Sequence, residues 1–219
     1  MGQEINLLEK YPYTKRELDK RAAEKTDEDV RVARLFDKEY FDGDRRYGYG
    51  GFSYNPRFWQ PVVPSFKEYY NLTDKSRILD VGCAKGFMVF DFMQLIPNIT
   101  VEGVDISQYA IAHAKKEVKK YVKVGDAREL PYEDNSFDLV ISITTLHNLD
   151  RDGCKQALSE LERVSRKDKF ITVDAYRTED EQKRMSMWNL TALTYMSTEE
   201  WEKFLRDSGY SGDYYWFIP

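Results

Sequence analysis

From Arg77 onward, apolar runs of strand length alternate with stretches of helical composition, and this alternation constrains the fold of the 219-residue chain more than any other feature. Strands are expected at residues 77–81, 100–104, 121–124, 137–143 and 170–174, with helices in the gaps. Such an order predicts an α/β fold, a doubly wound and mostly parallel sheet with helices on both faces. "GFMVFDFMQLI" is apolar almost all round and predicts a buried helix stopped by Pro97. "SQYAIAHAKKEV" predicts a helix over 107–118, with Ser107 as N-cap and cations near its C-terminus, where the helix dipole favours them. After Asp152, Cys154, Ala157, Leu158, Leu161 and Val164 recur at helical spacing, which makes Cys154 a core residue. "STEEWEKFLRDSGY" opens on a capping box, Ser197 with Glu200, and closes on Gly209, so it reads as a helix. "GDYYWFIP" reads as a last strand close to the sheet edge.

Residues 1–75 have another texture and are expected to form an N-terminal helical arm and aromatic lid on the domain at 76–219. Over 14–37 helix formers and charges are dense and apolar residues sparse, which predicts an exposed helical arm. "YFDGDRRYGYGGFSYNPRFWQP" mixes aromatics with glycines and prolines, which break helices and strands alike, and reads as an ordered loop or lid. A short helix is expected over 66–71.

The formal charge of −5 gives no global attraction to nucleic acid or to an anionic membrane and favours a small-molecule partner. No stretch approaches the roughly 20 apolar residues of a membrane span, and "MGQEINLLEK" lacks a basic, then apolar leader. A cytoplasmic location is expected, with a homodimer left open. Cys83 and Cys154 are too few for a disulfide framework or a thiolate metal site, so no metal is expected.

"RILDVGCAKGF" shows what the sheet is built to hold. Asp80 sits near the end of the first strand, and Gly82, Ala84 and Gly86 form the turn into the buried helix, so a ligand would meet a helix N-terminus there. A dinucleotide fingerprint would place its third glycine where Phe87 stands, and Asp80 would repel a pyrophosphate. The same carboxylate suits an ammonium or sulfonium. Asp105 closes the second strand about 20 residues beyond the glycines, where an acid in such folds holds ribose hydroxyls, and Asp126 follows the third. Three acids at the C-terminal ends of three consecutive strands are expected to line one crevice.

"ILDVGCAKG", "VEGVDIS", "GDARELPYEDNSFDLVIS" and "TTLHNL", in this order, resemble the successive motifs of the class I S-adenosylmethionine-dependent methyltransferases, and "YGYGG" and "YSGDYYW" resemble, more weakly, bacterial members that act on small metabolites. The resemblance implies a Rossmann-like fold with S-adenosylmethionine as cofactor. It implies that Gly82, Ala84 and Gly86 approach the methionine part, Asp80 faces its amino group, Asp105 with Ile106 holds the ribose, and Asp126 with Ala127 borders the adenine. Ala84 departs from the family's usual glycine, and a positive φ there would cost energy.

Methyl transfer needs an aligned acceptor and, for an oxygen nucleophile, removal of a proton. His147, in the loop after strand four, is the expected base. Substrate contacts are expected from Arg45, Tyr47, Tyr49 and Arg57 in the lid, from Asn148, and from Trp188 after strand five, with the arginines pairing a phosphate or carboxylate. The expected activity is methylation of an oxygen or nitrogen on a small polar, anionic or sugar-linked metabolite. The alternative is a non-catalytic partner subunit or regulator that binds the cofactor without an acceptor pocket.

Overall fold

The computed structural model describes residues 2–12 and 18–218. Two-residue alternation along the strands builds two apolar faces: Ile78, Leu139, Ile141 and Phe170 belong to one core cluster, and Leu79, Val140, Ile171 and Val173 to the other. A sheet that is apolar on both faces needs helices on both. The strands are β1 (Arg77–Val81), β2 (Thr100–Asp105), β3 (Val122–Val124), β4 (Phe137–Ile143), β5 (Ser165–Tyr176), β6 (Met196–Ser197) and β7 (Asp213–Phe217). They lie in the order β3-β2-β1-β4-β5, with β7 along β5 and the short β6 at its tip. All these pairings are parallel. The chain start extends the sheet past β7: the Ile5 N–H donates to the Tyr214 carbonyl at 2.9 Å, and the Tyr214 N–H to that of Gln3 at 3.1 Å. That pairing covers an edge that would otherwise be open.

The expected strand positions hold, but β5 is longer at both ends than residues 170–174. Its charged start hides it in the sequence, yet Arg166 pairs there with Asp138 of β4 at 2.6 Å. The N-terminal helices are α1 (Leu18–Glu24), α2 (Asp27–Ala33), α3 (Lys38–Asp42) and α4 (Pro56–Trp59). The single arm expected over 14–37 is thus two short helices parted at Thr26, which caps α2 in a capping box with Asp29; residues 14–17 lie outside the described residues. The arm is also docked rather than exposed. Lys25 Nζ donates to the carbonyls of Ser186 at 2.7 Å and Asn189 at 2.9 Å.

On one face of the sheet pack α5 (Val63–Tyr69), α6 (Phe87–Leu95) and α7 (Gln108–Ala112). Phe66 of α5 meets Phe92 and Phe170 edge-on at 6.0 and 5.2 Å, so residues before 76 share the core of the sheet. Ser107 does cap α7, but the helix ends at Ala112, well short of 118. The Lys115 N–H is drawn away to the Lys85 carbonyl at 3.0 Å, which bends the chain toward the glycine turn. On the other face lies α8 (Arg151–Val164), α9 (Glu179–Trp188) follows β5, and α10 (Thr198–Asp207) completes the cover. Cys154 is fully buried in α8, and the Ser197–Glu200 box and Gly209 delimit α10 as expected.

Candidate active site

The turn from β1 into α6 places three alternate residues at positive φ: Gly82 at 88°, Ala84 at 48° and Gly86 at 73°. Gly82 is obligatory for a second reason, since a Cβ there would overlap the Thr145 hydroxyl. Ala84 carries its methyl group in a left-handed conformation, at a cost of roughly 1–2 kcal/mol. The turn spends its own donors. The Gly82 and Cys83 N–H groups both reach the Val104 carbonyl, at 2.8 and 3.0 Å, and the Gly86 N–H reaches that of Cys83 at 2.8 Å. Ala84 donates to Asp105 Oδ2 at 2.7 Å. With these amides engaged, the turn is not built as a pyrophosphate cradle, which needs them free.

Asp80 is only 5% exposed, and its carboxylate has no hydrogen-bond or ion-pair partner among the described residues. Burial, followed by the nearby Asp105 charge, pushes its pKa up to about 7. Asp105 is also raised by burial, against the N–H bonds it accepts from Ser107 and Ala84. Lys85, inside the same turn, points away into the lid, where Asp42 at 2.6 Å and the Phe52 carbonyl at 2.9 Å take up its ammonium. Phe52 stacks on Phe87 at 4.9 Å, and Tyr54 donates to Asp91 at 2.7 Å. The lid is therefore fastened to the turn and to α6.

Between lid and sheet lies a cavity of about 1510 Å³. One drug-sized ligand fills roughly 300–1,000 Å³, so there is room for a cofactor and a second molecule. Asp80, Gly82, Ala84, His147 and Asp174 line it from the strand tips. Tyr40, Tyr49, Arg21, Arg45 and Trp188 line it from the lid and the region after β5. Among the described residues no three His, Cys, Asp or Glu side chains are grouped as a metal site.

His147 is 4% exposed, and its Nδ1 accepts the Asp174 backbone N–H at 2.9 Å. An N–H can only donate, so Nδ1 is unprotonated and the proton of the neutral ring sits on Nε2. Burial lowers the ring's pKa, and the Asp174 charge opposes that shift.

The other expected site residues divide. Gly86 stands at the N-cap of α6, behind the cavity wall. Asp105, Ile106, Asp126 and Ala127 are not on the wall either. Asp126 is turned to Arg128 at 2.6 Å, which holds its pKa low, and Ile106 is 55% exposed. The expected crevice of three acids is thus occupied by Asp80, with Asp105 beside it and Asp126 facing elsewhere. Tyr47 lies under the Arg46 guanidinium, Arg57 lies over Phe58, and Asn148 donates to the Thr144 carbonyl at 3.4 Å; none of the three lines the cavity. Arg21, Tyr40 and Asp174 contribute to this cavity without being expected from the sequence. Asp174 stands near the end of β5 much as Asp80 stands near the end of β1, which is the signal that was there to find.

A parallel doubly wound sheet with an acid at the tip of its first strand and a positive-φ turn beside it defines a nucleotide-type ligand site of the class I kind. The chain belongs to the methyltransferase-domain family, whose model matches residues 72–214, and this family takes S-adenosylmethionine as methyl donor. A tRNA (carboxymethyluridine(34)-5-O)-methyltransferase of Arabidopsis thaliana is 34% identical over 143 residues, which cover 64% of this chain and 33% of that protein. The 27-O-demethylrifamycin SV methyltransferase of Amycolatopsis mediterranei is 28% identical over 145 residues, covering 61% and 53%. The crystal structure of MccD protein superposes with a TM-score of 0.54 at 23% identity, covering 66% of this chain and 68% of that one, and shows the same fold. The chain thus spans between a third and about half of the length of these two curated relatives. The acceptors in their names differ in kind, one a tRNA nucleoside and the other a rifamycin.

Proposed function

We propose that this protein transfers the methyl group of S-adenosylmethionine to an oxygen or nitrogen of a small polar acceptor held beneath the aromatic lid. The observation that carries the proposal is Asp80, a buried carboxylate without a cation among the described residues, set beside Asp105 at the strand tips. Burying an uncompensated charge is costly, and a ligand that brings an ammonium and a sulfonium relieves it. In this reading Asp80 faces the amino group of the methionine part, the turn at Gly82, Ala84 and Gly86 runs along it, and Asp105 with Ile106 takes the ribose. Asp126 and Ala127 stay beside the adenine end only if the Asp126–Arg128 pair opens. The sulfonium supplies an electrophilic methyl carbon, so the chain's own work is to align the acceptor and exclude water.

His147 supports alignment more than proton removal. With Nδ1 occupied by the Asp174 N–H, its Nε2–H serves as a hydrogen-bond donor to the acceptor, and accepting a proton would require the tautomer to reverse. The cavity volume favours an enzyme over a partner subunit that lacks an acceptor pocket. The net charge of −5 favours a small molecule over nucleic acid. Among the described residues no helix is long and apolar enough to cross a membrane, and a cytoplasmic location is part of the same proposal. Calorimetry and labelled-methyl transfer from S-adenosylmethionine into a metabolite pool test it. S-adenosylhomocysteine should bind and NAD should not, and labelled product should appear; binding without any transfer would favour the partner-subunit reading.

A further inference from the structure

We infer that Arg21 and Arg45 form an anion-binding subsite, so that the acceptor carries a carboxylate or phosphate in addition to its methylated atom; this rests on the methyl-transfer reading above. Among the described residues five cationic side chains line the cavity: Arg21, Lys25, Arg45, Arg46 and Arg177. Three of them are engaged within the protein. Arg46 pairs with Asp29 at 2.7 Å and Arg177 with Glu4 at 2.7 Å, and Lys25 caps the carbonyls at the end of α9. Arg21 and Arg45 have no carboxylate partner among the described residues.

Arg21 is half-buried, its guanidinium stacked 4.9 Å from the centre of the Trp188 ring and fixed by one bond from Nε to the Trp188 carbonyl at 3.2 Å. Its two terminal nitrogens make no hydrogen bond among the described residues. A guanidinium held over a ring by one bond, with both terminal nitrogens unbonded among the described residues, is set up for two-pronged recognition of a carboxylate or phosphate. Arg45 gives one terminal nitrogen to the Gly48 carbonyl, and its other terminal nitrogen makes no hydrogen bond among the described residues. The two guanidinium groups lie close enough for Arg45 to depress the pKa of Arg21, after burial does so. Asp29 acts on Arg21 only from a distance and is paired with Arg46, so the two neighbouring guanidinium groups keep a repulsion that an anionic ligand relieves.

At the strand tips the lining side chains are acidic, Asp80 and Asp174, whereas the arginines stand on the lid side among Glu24, Asp29 and Asp44; Tyr40 is near enough to feel Asp174, Asp105 and Arg21 together. A cationic donor at the acidic end and an anionic acceptor group at the arginines would place the reacting atom between them, beneath Tyr40.

The test titrates phenyl phosphate, benzoate and benzyl alcohol into the protein saturated with S-adenosylhomocysteine, followed by calorimetry. At least one anion should bind about tenfold or more tightly than the neutral alcohol, as for a charge-assisted hydrogen bond. Its identity tells phosphate from carboxylate. Arg45→Gln, at an exposed position, should weaken that preference, and Arg21→Gln with Arg45→Gln should abolish it, with S-adenosylhomocysteine affinity unchanged. Arg45→Lys should keep part of it. Equal binding of the three probes, or an anion preference that survives both glutamines, overturns the subsite. Failure of S-adenosylhomocysteine to bind would instead remove the methyl-transfer reading, and the same titrations without it would still test the arginines.

Discussion

Replacing Asp80 by Asn should make the ligand-free protein more stable and the cofactor complex weaker. The folded carboxyl titrates at about 7 against an ordinary 3.8, and at 1.36 kcal/mol per pH unit the gap is worth about 4 kcal/mol. Because the folded pKa is the higher one, folding takes up a proton between about pH 4 and 7. The group destabilises least below pH 4, and its penalty is complete as the pH rises past 7. The Asp80→Asn side chain carries no charge but leaves a buried amide without partners, which costs about 1–3 kcal/mol. The net gain at pH 8 is therefore about 1–3 kcal/mol, or roughly 2–4 °C in Tm per kcal/mol for a chain of this size. The gain should vanish near pH 4. Cofactor binding moves the other way. Wild type must ionise Asp80 to bind, so its affinity for S-adenosylhomocysteine should fall about tenfold from pH 8 to pH 6 through this group. Asp80→Asn should bind more weakly at pH 8 by about 1.5–3 kcal/mol and lose that part of the pH dependence. Calorimetry with thermal melts at pH 4, 6 and 8 measures each term. A variant no more stable than wild type at pH 8, with cofactor affinity intact, would show that Asp80 is neither strained nor a ligand contact.

Asp105→Ala removes the acceptor of two backbone N–H groups, Ala84 and Ser107. It should therefore lower both folding stability and cofactor affinity, by about 1–3 kcal/mol each; a loss of affinity at unchanged Tm would mean that the two bonds hold nothing in place. His147→Gln should lower turnover with little change in S-adenosylhomocysteine affinity. Since burial depresses the folded pKa of His147, its contribution to stability is present above the ordinary 6.5 and is lost as the pH falls below it. The variant should flatten that acid limb of the Tm–pH curve. Gly82→Ala should cost about 2–5 kcal/mol, combining left-handed backbone strain with overpacking against Thr145. Adding Thr145→Gly should recover the packing part only, which chemical denaturation of the three variants would resolve.

The strand positions were legible because both faces of the sheet are apolar, so each strand is a run that stands out whatever its neighbours do. Asp80 and the turn at Gly82 and Gly86 were legible for a related reason: strand end, tight turn and helix start are adjacent in sequence. Where long-range bonds decide, legibility fails. The end of α7 depends on the Lys115 N–H meeting Lys85, some thirty residues earlier, and the charged start of β5 depends on Asp138. Asp126 went the other way, since the Arg128 that captures its carboxylate is only two residues on and "GDAR" displays the competition.

The lid shows the same division within one segment. Its composition announced aromatic cover, but which face each ring and guanidinium presents is set by what it docks on. Tyr47 lies beneath Arg46 while Tyr49 reaches the cavity, and Arg57 rests on Phe58 while Arg45 faces the ligand space. Lys85 explains the asymmetry. It sits in the ligand turn, yet Asp42 and Phe52 pull it into the lid, so the residues flanking that anchor are drawn over the strand tips and those beyond it fall on α6 and α4. Lys85 is buried while Asp42 is partly exposed, so their ion pair contributes little net stability, but together with the bond to the Phe52 carbonyl it fixes where the lid sits on the turn. It is therefore the registry of lid on turn, more than the composition of either, that decides which cations face the cavity.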